Sequence, residues 1–150
     1  MQRIRTAALA LTAAISFFVG GWASFAPASF FDSFPGVLGQ WVATDGPYNE
    51  HLVRDVGAMY LALGAASVAG LVWRRPAVAR VLGLAWTVFG ALHLGYHATH
   101  LDHLTPEAAV GTVVSLTLSL GLGVLLLVPA RDGGRGETDA AGTAGPAASA

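Results

Sequence analysis

The sequence has no cysteine and no lysine, and charged residues make up only 11% of its 150 positions. Without cysteine the chain has no disulfide, no thiolate metal ligand and no cysteine nucleophile. A soluble domain has about 25% charged residues, so this low content favours a membrane protein. The net charge of −1 gives no case for nucleic acid as a partner, because its recognition needs a strongly basic face.

Four long stretches of the sequence contain no charged residue. They occupy residues 6–31, 56–73, 81–101 and 108–130. A helix needs about 20 apolar residues to cross a bilayer, and each stretch is long enough. We therefore predict an all-α membrane protein with four transmembrane helices in an antiparallel bundle, surrounded by lipid. The predicted spans 1 to 4 cover about residues 6–28, 52–73, 79–101 and 107–129, within one transmembrane domain of residues 1–130.

The arginines predict the orientation. Seven of the eight precede span 1, lie between spans 2 and 3, or follow span 4, and only Arg54 breaks the pattern. Because positive residues stay inside, we expect a multi-pass plasma-membrane protein with both termini cytoplasmic. Residues 131–150 are rich in glycine, alanine, proline and serine, which predicts a disordered cytoplasmic tail.

Span 1 has a competing interpretation as a signal peptide, because "MQRIR" precedes an apolar run. The run is longer than the apolar region of about 7–15 residues in such peptides. The first small-residue cleavage option, "SFAP", would place Pro27 directly after the cut. We therefore interpret span 1 as a retained anchor.

A long outer loop, from Pro27 to Glu50, is predicted between spans 1 and 2. Its aromatic residues suit the membrane interface. The segment "SFFDSF" is predicted to form a short helix that ends at Pro35 and Gly36, and Asn49 is predicted to cap span 2. Glycines at heptad spacing in spans 2 and 3 predict close helix packing, with span 2 central; they are Gly57, Gly64, Gly83 and Gly90.

Four of the five histidines lie in "GALHLGYHATHLDHL" at the end of span 3. On a continuous helix, His93, His97 and His100 would share an arc of roughly 60°. Span 2 begins with the polar run "YNEHLVRD", and its residues would lie beside span 3 if the two helices were neighbours with level ends. We predict an outer-facing polar pocket between these spans, with Asp55 and His97 as the central pair. Its residues are Glu50, His51, Arg54, Asp55, Tyr96 and His97.

Three interpretations of these residues stay open. The first is a transition-metal site, because imidazoles four apart on a helix chelate one ion and a carboxylate completes the set. Its candidate ligands are His51, Asp55, His93, His97 and His100. The second is a redox or proton-handling site that holds a haem or a quinone-like ligand. The third, which we prefer, is a structural clasp of hydrogen-bonded polar side chains between helices.

Three segments carry a resemblance to known proteins: "FFDSFPG", "WVATDGPYNEHLVRDVGA" and "AWTVFGALHLGYHATHLDHL". In this order they resemble an uncharacterised family of small bacterial four-helix membrane proteins, with a distant likeness to the DoxX-like group. The resemblance covers Phe30 to Leu104 and implies a multi-pass plasma-membrane protein. Some DoxX-like proteins are linked to quinone-dependent redox chemistry, although no residue roles carry over to this chain.

The sequence therefore predicts a membrane accessory component with an outer-facing histidine and carboxylate pocket. We expect that the protein is not an enzyme by itself. The alternative is a metal-, haem- or quinone-binding subunit of a redox enzyme. A homo-oligomer and a larger membrane complex are both compatible with the pattern.

Overall fold

The computed structural model describes residues 2–129 of the chain. The predicted tail, residues 131–150, lies outside them. In chain order the elements are α1 (Gln2–Phe25), α2 (Pro27–Ser33), β1 (Pro35–Gly36), β2 (Gly39–Gln40), α3 (Glu50–Trp73), α4 (Pro76–Ala98) and α5 (Pro106–Leu127).

Four of the helices, α1, α3, α4 and α5, are long and apolar enough to cross a membrane. Large apolar side chains such as Phe18, Val72, Leu92 and Leu118 point away from the bundle, where lipid would cover them. The structure confirms the predicted all-α fold of a multi-pass membrane protein. Each helix begins a little before the span predicted from it, because backbone hydrogen bonds continue into the polar residues that flank an apolar stretch.

The helices run alternately up and down, so the bundle has two distinct ends. We call the end where α1 and α4 begin the arginine end, since Arg3, Arg5, Arg74, Arg75 and Arg80 lie there. The opposite end, where α3 and α5 begin, is the histidine end. A hydrogen bond from the Arg5 guanidinium to the Val128 carbonyl joins the start of α1 to the end of α5.

Two close helix pairs make up the bundle. α1 packs mainly against α3, and α4 packs mainly against α5, whereas the α1–α5 and α3–α4 contacts are less extensive. A Cβ added at Gly57 would lie 2.7 Å from the Ser24 backbone nitrogen, and one at Gly123 would lie 2.8 Å from that of Thr87. Glycine is therefore required for both pairs to approach this closely. The prediction of glycine packing is confirmed, but the prediction that span 2 (α3) is the central helix is wrong, because α3 packs mainly against α1.

Hydrogen bonds between side chains join three of the helices at mid-depth. The Trp86 indole nitrogen of α4 donates to the Ser67 hydroxyl of α3 at 3.2 Å. The Thr12 hydroxyl of α1 lies 3.4 Å from the same oxygen. Trp86 is 1% exposed, so its buried N–H needs this partner. Ser67 in turn donates to the Leu63 carbonyl at 2.9 Å.

The connection between α1 and α3 folds against the histidine end. The short helix predicted there is α2, and the chain turns at Pro35 and Gly36 as expected, into a two-strand hairpin. The ring of Phe30 is buried and lies 4.6 Å from that of Phe34, measured between centroids. Asn49 caps α3 as predicted, because its side-chain oxygen accepts a hydrogen bond from the Leu52 N–H at 3.1 Å.

Replacing Gly57 with alanine should separate α1 from α3. The added methyl would meet the backbone of α1, which has no rotamer to adjust, so we expect a loss of about 1–3 kcal/mol in unfolding free energy. Gly21→Ala on α1 is the control, because a Cβ there meets nothing within 4 Å. Thermal unfolding in detergent should show a lower Tm for Gly57→Ala only. Equal Tm values for the two variants would contradict the close packing.

Candidate functional site

A column of aromatic and imidazole rings runs along α4 toward the histidine end. The ring of His93 stacks on Phe89 with centroids 5.1 Å apart and meets His97 edge-on at 4.9 Å. Tyr96 meets His97 edge-on at 5.4 Å and stacks on His100 at 4.3 Å. The rings therefore support one another by direct contact.

His100 does not lie on the helix with His93 and His97, as the one-face interpretation required. α4 ends at Ala98, where the Thr99 N–H donates to the Tyr96 carbonyl at 3.1 Å. The Thr99 hydroxyl donates to the same carbonyl at 2.9 Å, and the His100 Nδ1 atom lies 2.9 Å from it. In the structure, His100 therefore takes part in the capping of the C-terminus of α4.

Asp45, from the long loop, is the residue that joins the loop to this column. Its Oδ1 atom accepts a hydrogen bond from the Tyr96 hydroxyl at 3.4 Å and lies 3.7 Å from the His103 Nε2 atom. The second distance is too long for a hydrogen bond, and the contact is an ion pair only when the imidazole is protonated. The side chains of Asp45 and His103 are 29% and 22% exposed. One carboxylate thus contacts both α4 and the connection between α4 and α5.

Trp41 holds the loop in this position. A Cβ added at Gly111 of α5 would lie 2.8 Å from the Trp41 Cζ2 atom, so the indole rests directly on this glycine. The backbone N–H of Trp41 donates to the Phe34 carbonyl at 2.9 Å, and the backbone N–H of Asp45 donates to the Val42 carbonyl at 3.1 Å. The loop therefore covers the histidine end, with Asp45 turned toward α4.

The polar residues at the start of α3 form a separate group. His51 and Asp55 pair with each other at 3.2 Å, with side chains 87% and 62% exposed. Arg54 pairs with Glu50 at 2.8 Å and also donates to the Ser24 carbonyl at the end of α1. Arg54 thereby joins α1 to α3. None of the hydrogen bonds or ion pairs of this group reaches α4.

The structure therefore divides the predicted pocket into two groups. Glu50, His51, Arg54 and Asp55 lie together on α3, and Tyr96 and His97 lie on α4 with Asp45 and His103. The predicted pocket assumed that α3 and α4 are closely packed neighbours, but α3 packs mainly on α1. The five proposed metal ligands are likewise not gathered, and within residues 2–129 no three histidine, aspartate or glutamate side chains are arranged to hold a metal ion.

Two buried imidazole nitrogens in the site have no hydrogen-bond partner among the described residues. They are Nδ1 of His97 and Nε2 of His103. Buried polar atoms without partners are uncommon, and an ordered water or another polar group is their usual partner. Sequence reasoning missed Asp45, His103 and Trp41 as site residues. The available signal was that Asp45 is the only charge between Asp32 and Glu50.

The fold and the site together define a four-span helical membrane protein with a cluster of aspartate, tyrosine and histidine at one end. Comparison of the chain with protein-family models, with curated proteins and with solved structures gave no match.

Removing the Asp45 carboxylate should loosen the loop without unfolding the bundle. We expect Asp45→Ala to speed hydrogen exchange at the Trp41 and Asp45-position amides about two- to fivefold, since a partly exposed charge contact is worth about 0.2–1 kcal/mol. Asp55→Ala is the matched control, because it removes an ion pair within α3 alone. Equal exchange of these amides in both variants would show that Asp45 does not hold the loop.

Proposed function

We propose that this protein is an accessory component of the plasma membrane, with both termini in the cytoplasm and the histidine end facing outward. In this proposal the aspartate, tyrosine and histidine cluster is a clasp that closes the outer end of the bundle. The protein works as a multi-pass scaffold within the membrane and does not carry out a reaction by itself.

The contact of Asp45 with Tyr96 and His103 carries the proposal. Through it one loop side chain reaches two different parts of the α4–α5 pair. On the other side of the bundle, Arg54 joins the end of α1 to α3. Both groups thus use their polar atoms to hold backbone segments together, which is the behaviour of a clasp.

The distribution of charge supports the orientation. Among residues 2–129, the arginines at the arginine end face no acidic residue there, and all six carboxylates lie toward the histidine end. Positive residues are retained in the cytoplasm and acidic residues have little influence on topology. This pattern favours insertion with the arginine end inside.

Orientation is directly testable because the chain has no cysteine of its own. A membrane-impermeant maleimide should label Val37→Cys, in the loop of the histidine end, in intact cells. It should label Ala77→Cys, in the first turn of α4, only after the membrane is permeabilised. Both native side chains are exposed, so the reagent can reach either position once it is on the same side. Labelling of Ala77→Cys alone in intact cells would reverse the proposed orientation.

A second function, binding of a quinone-like ligand, is favoured by the two buried imidazole nitrogens that make no hydrogen bond among the described residues. A quinone has carbonyl oxygens that accept hydrogen bonds from imidazole N–H groups, and a flat ring that stacks on aromatic side chains. His97 and His103 offer the nitrogens, and Tyr96 and His93 offer ring faces nearby. The resemblance to the DoxX-like group is in line with this alternative.

One experiment separates the two functions. Wild type, His103→Ala and the exposed control His51→Ala are purified from membranes, and each is measured for Tm and for quinone in its organic extract. The clasp predicts that His103→Ala loses about 1–2 kcal/mol of stability and that no variant carries quinone. A quinone site predicts a near-equimolar quinone that is lost only in His103→Ala. An unchanged Tm with no quinone in any sample would contradict both functions.

A further inference from the structure

The arginine end contains a narrow cleft between the start of α1 and the junction of α3 with α4. The cleft is shallow and open, with enclosed room for about one water molecule. The residues that line it include Gln2, Arg5, Thr6, Gly70, Arg74 and Arg75. Three arginines therefore border one opening at this end of the bundle.

Arg5 is the unusual member of this cleft, because it is only 5% exposed. One of its five N–H donors bonds to the Val128 carbonyl. A neutral carbonyl does not balance a buried positive charge, and buried charges in proteins are normally paired. Within residues 2–129 no carboxylate is at ion-pair distance from Arg5, Arg74 or Arg75. The described part of the chain thus leaves the cleft with an excess of positive charge.

The backbone around the cleft adds to this positive field. Arg74 adopts a left-handed conformation, with a φ of 53°, to end α3, and Arg75 is the residue directly before α4. The first turn of α4 contains no acidic residue, and its N-terminal cap has no side-chain hydrogen bond. The N–H groups and the dipole of a helix N-terminus favour an anion. They act here beside Arg74 and Arg75.

We propose that this cleft binds the phosphate group of an anionic phospholipid, with Arg5, Arg74 and Arg75 as its ligands. Bidentate contact with phosphate is characteristic of guanidinium groups, and basic pockets between membrane helices accept anionic headgroups. The two residues directly before Arg74 are apolar and exposed: Trp73 is 62% exposed and Val72 is 71% exposed. They offer an acyl chain an apolar surface close to the arginines, which a soluble phosphate would not use.

Delipidated full-length protein in detergent tests the proposal through its Tm. The additives are phosphatidylglycerol, phosphatidylcholine and inorganic phosphate, each titrated into wild type, Arg75→Gln and Arg80→Gln. Arg80 is the matched control, since it is an exposed arginine at the same end but does not line the cleft. Only phosphatidylglycerol should raise the wild-type Tm in a saturable way. Loss of one arginine contact should weaken its apparent affinity about fivefold in Arg75→Gln, with no change in Arg80→Gln.

Several results would overturn the proposal. An equal shift with phosphatidylcholine would remove the role of charge, and an equal loss in Arg80→Gln would show a general attraction to the basic end. The same saturable shift with inorganic phosphate would assign the cleft to a free anion. Asp132, Glu137 and Asp139 lie outside the described residues. A triple variant, Asp132→Asn, Glu137→Gln and Asp139→Asn, removes their three negative charges. If phosphatidylglycerol acts only on this variant, the carboxylates of the tail occupy the cleft instead.

Discussion

Close approach of backbones at glycine is the constraint on which this bundle depends. Inside a bilayer, lipid tails are as apolar as leucine side chains, so helices gain little from hiding apolar surface from one another and associate through direct packing. Gly20 and Gly57 bring α1 against α3, and Gly83 and Gly123 bring α4 against α5. The remaining helix contacts are looser and form between two pairs that are already close.

This pairing decides which polar residues meet. Because α3 lies on α1, Arg54 reaches the end of α1 and bonds to the Ser24 carbonyl. At the outer end of the ring column on α4, Tyr96 meets the loop, where Asp45 is the partner of Tyr96 and His103. The contacts around Ser67 then join the two pairs at mid-depth, where no water is present to satisfy the Trp86 N–H. Polar groups therefore connect the α1–α3 pair to the α4–α5 pair, which glycine packing does not join.

Local features of the fold were predictable from sequence, and the site mostly was not. The uncharged stretches predicted the four long helices. Asn49 was predicted as the cap of α3, and Pro35–Gly36 as the end of α2. Each of these features depends on residues that are neighbours along the chain. The division of the predicted pocket depends on which helices pair, and periodicity does not encode that. Asp45 was not predictable as a site residue, because only the folded loop brings it to Tyr96. His100 shares the spacing of His93 and His97 but lies beyond a helix end that its own side chain helps to form.

The separation of charge between the two ends has an electrical consequence. Among the described residues, one end carries five arginines, and the other carries six carboxylates and a single arginine. The bundle is thus a large dipole lying along the membrane normal. Moving one elementary charge across a membrane changes its energy by about 2.3 kcal/mol for every 100 mV of membrane potential. In an energised membrane with a negative interior, the field itself favours the arrangement with the arginine end inward, and it would oppose inversion for as long as the potential lasts.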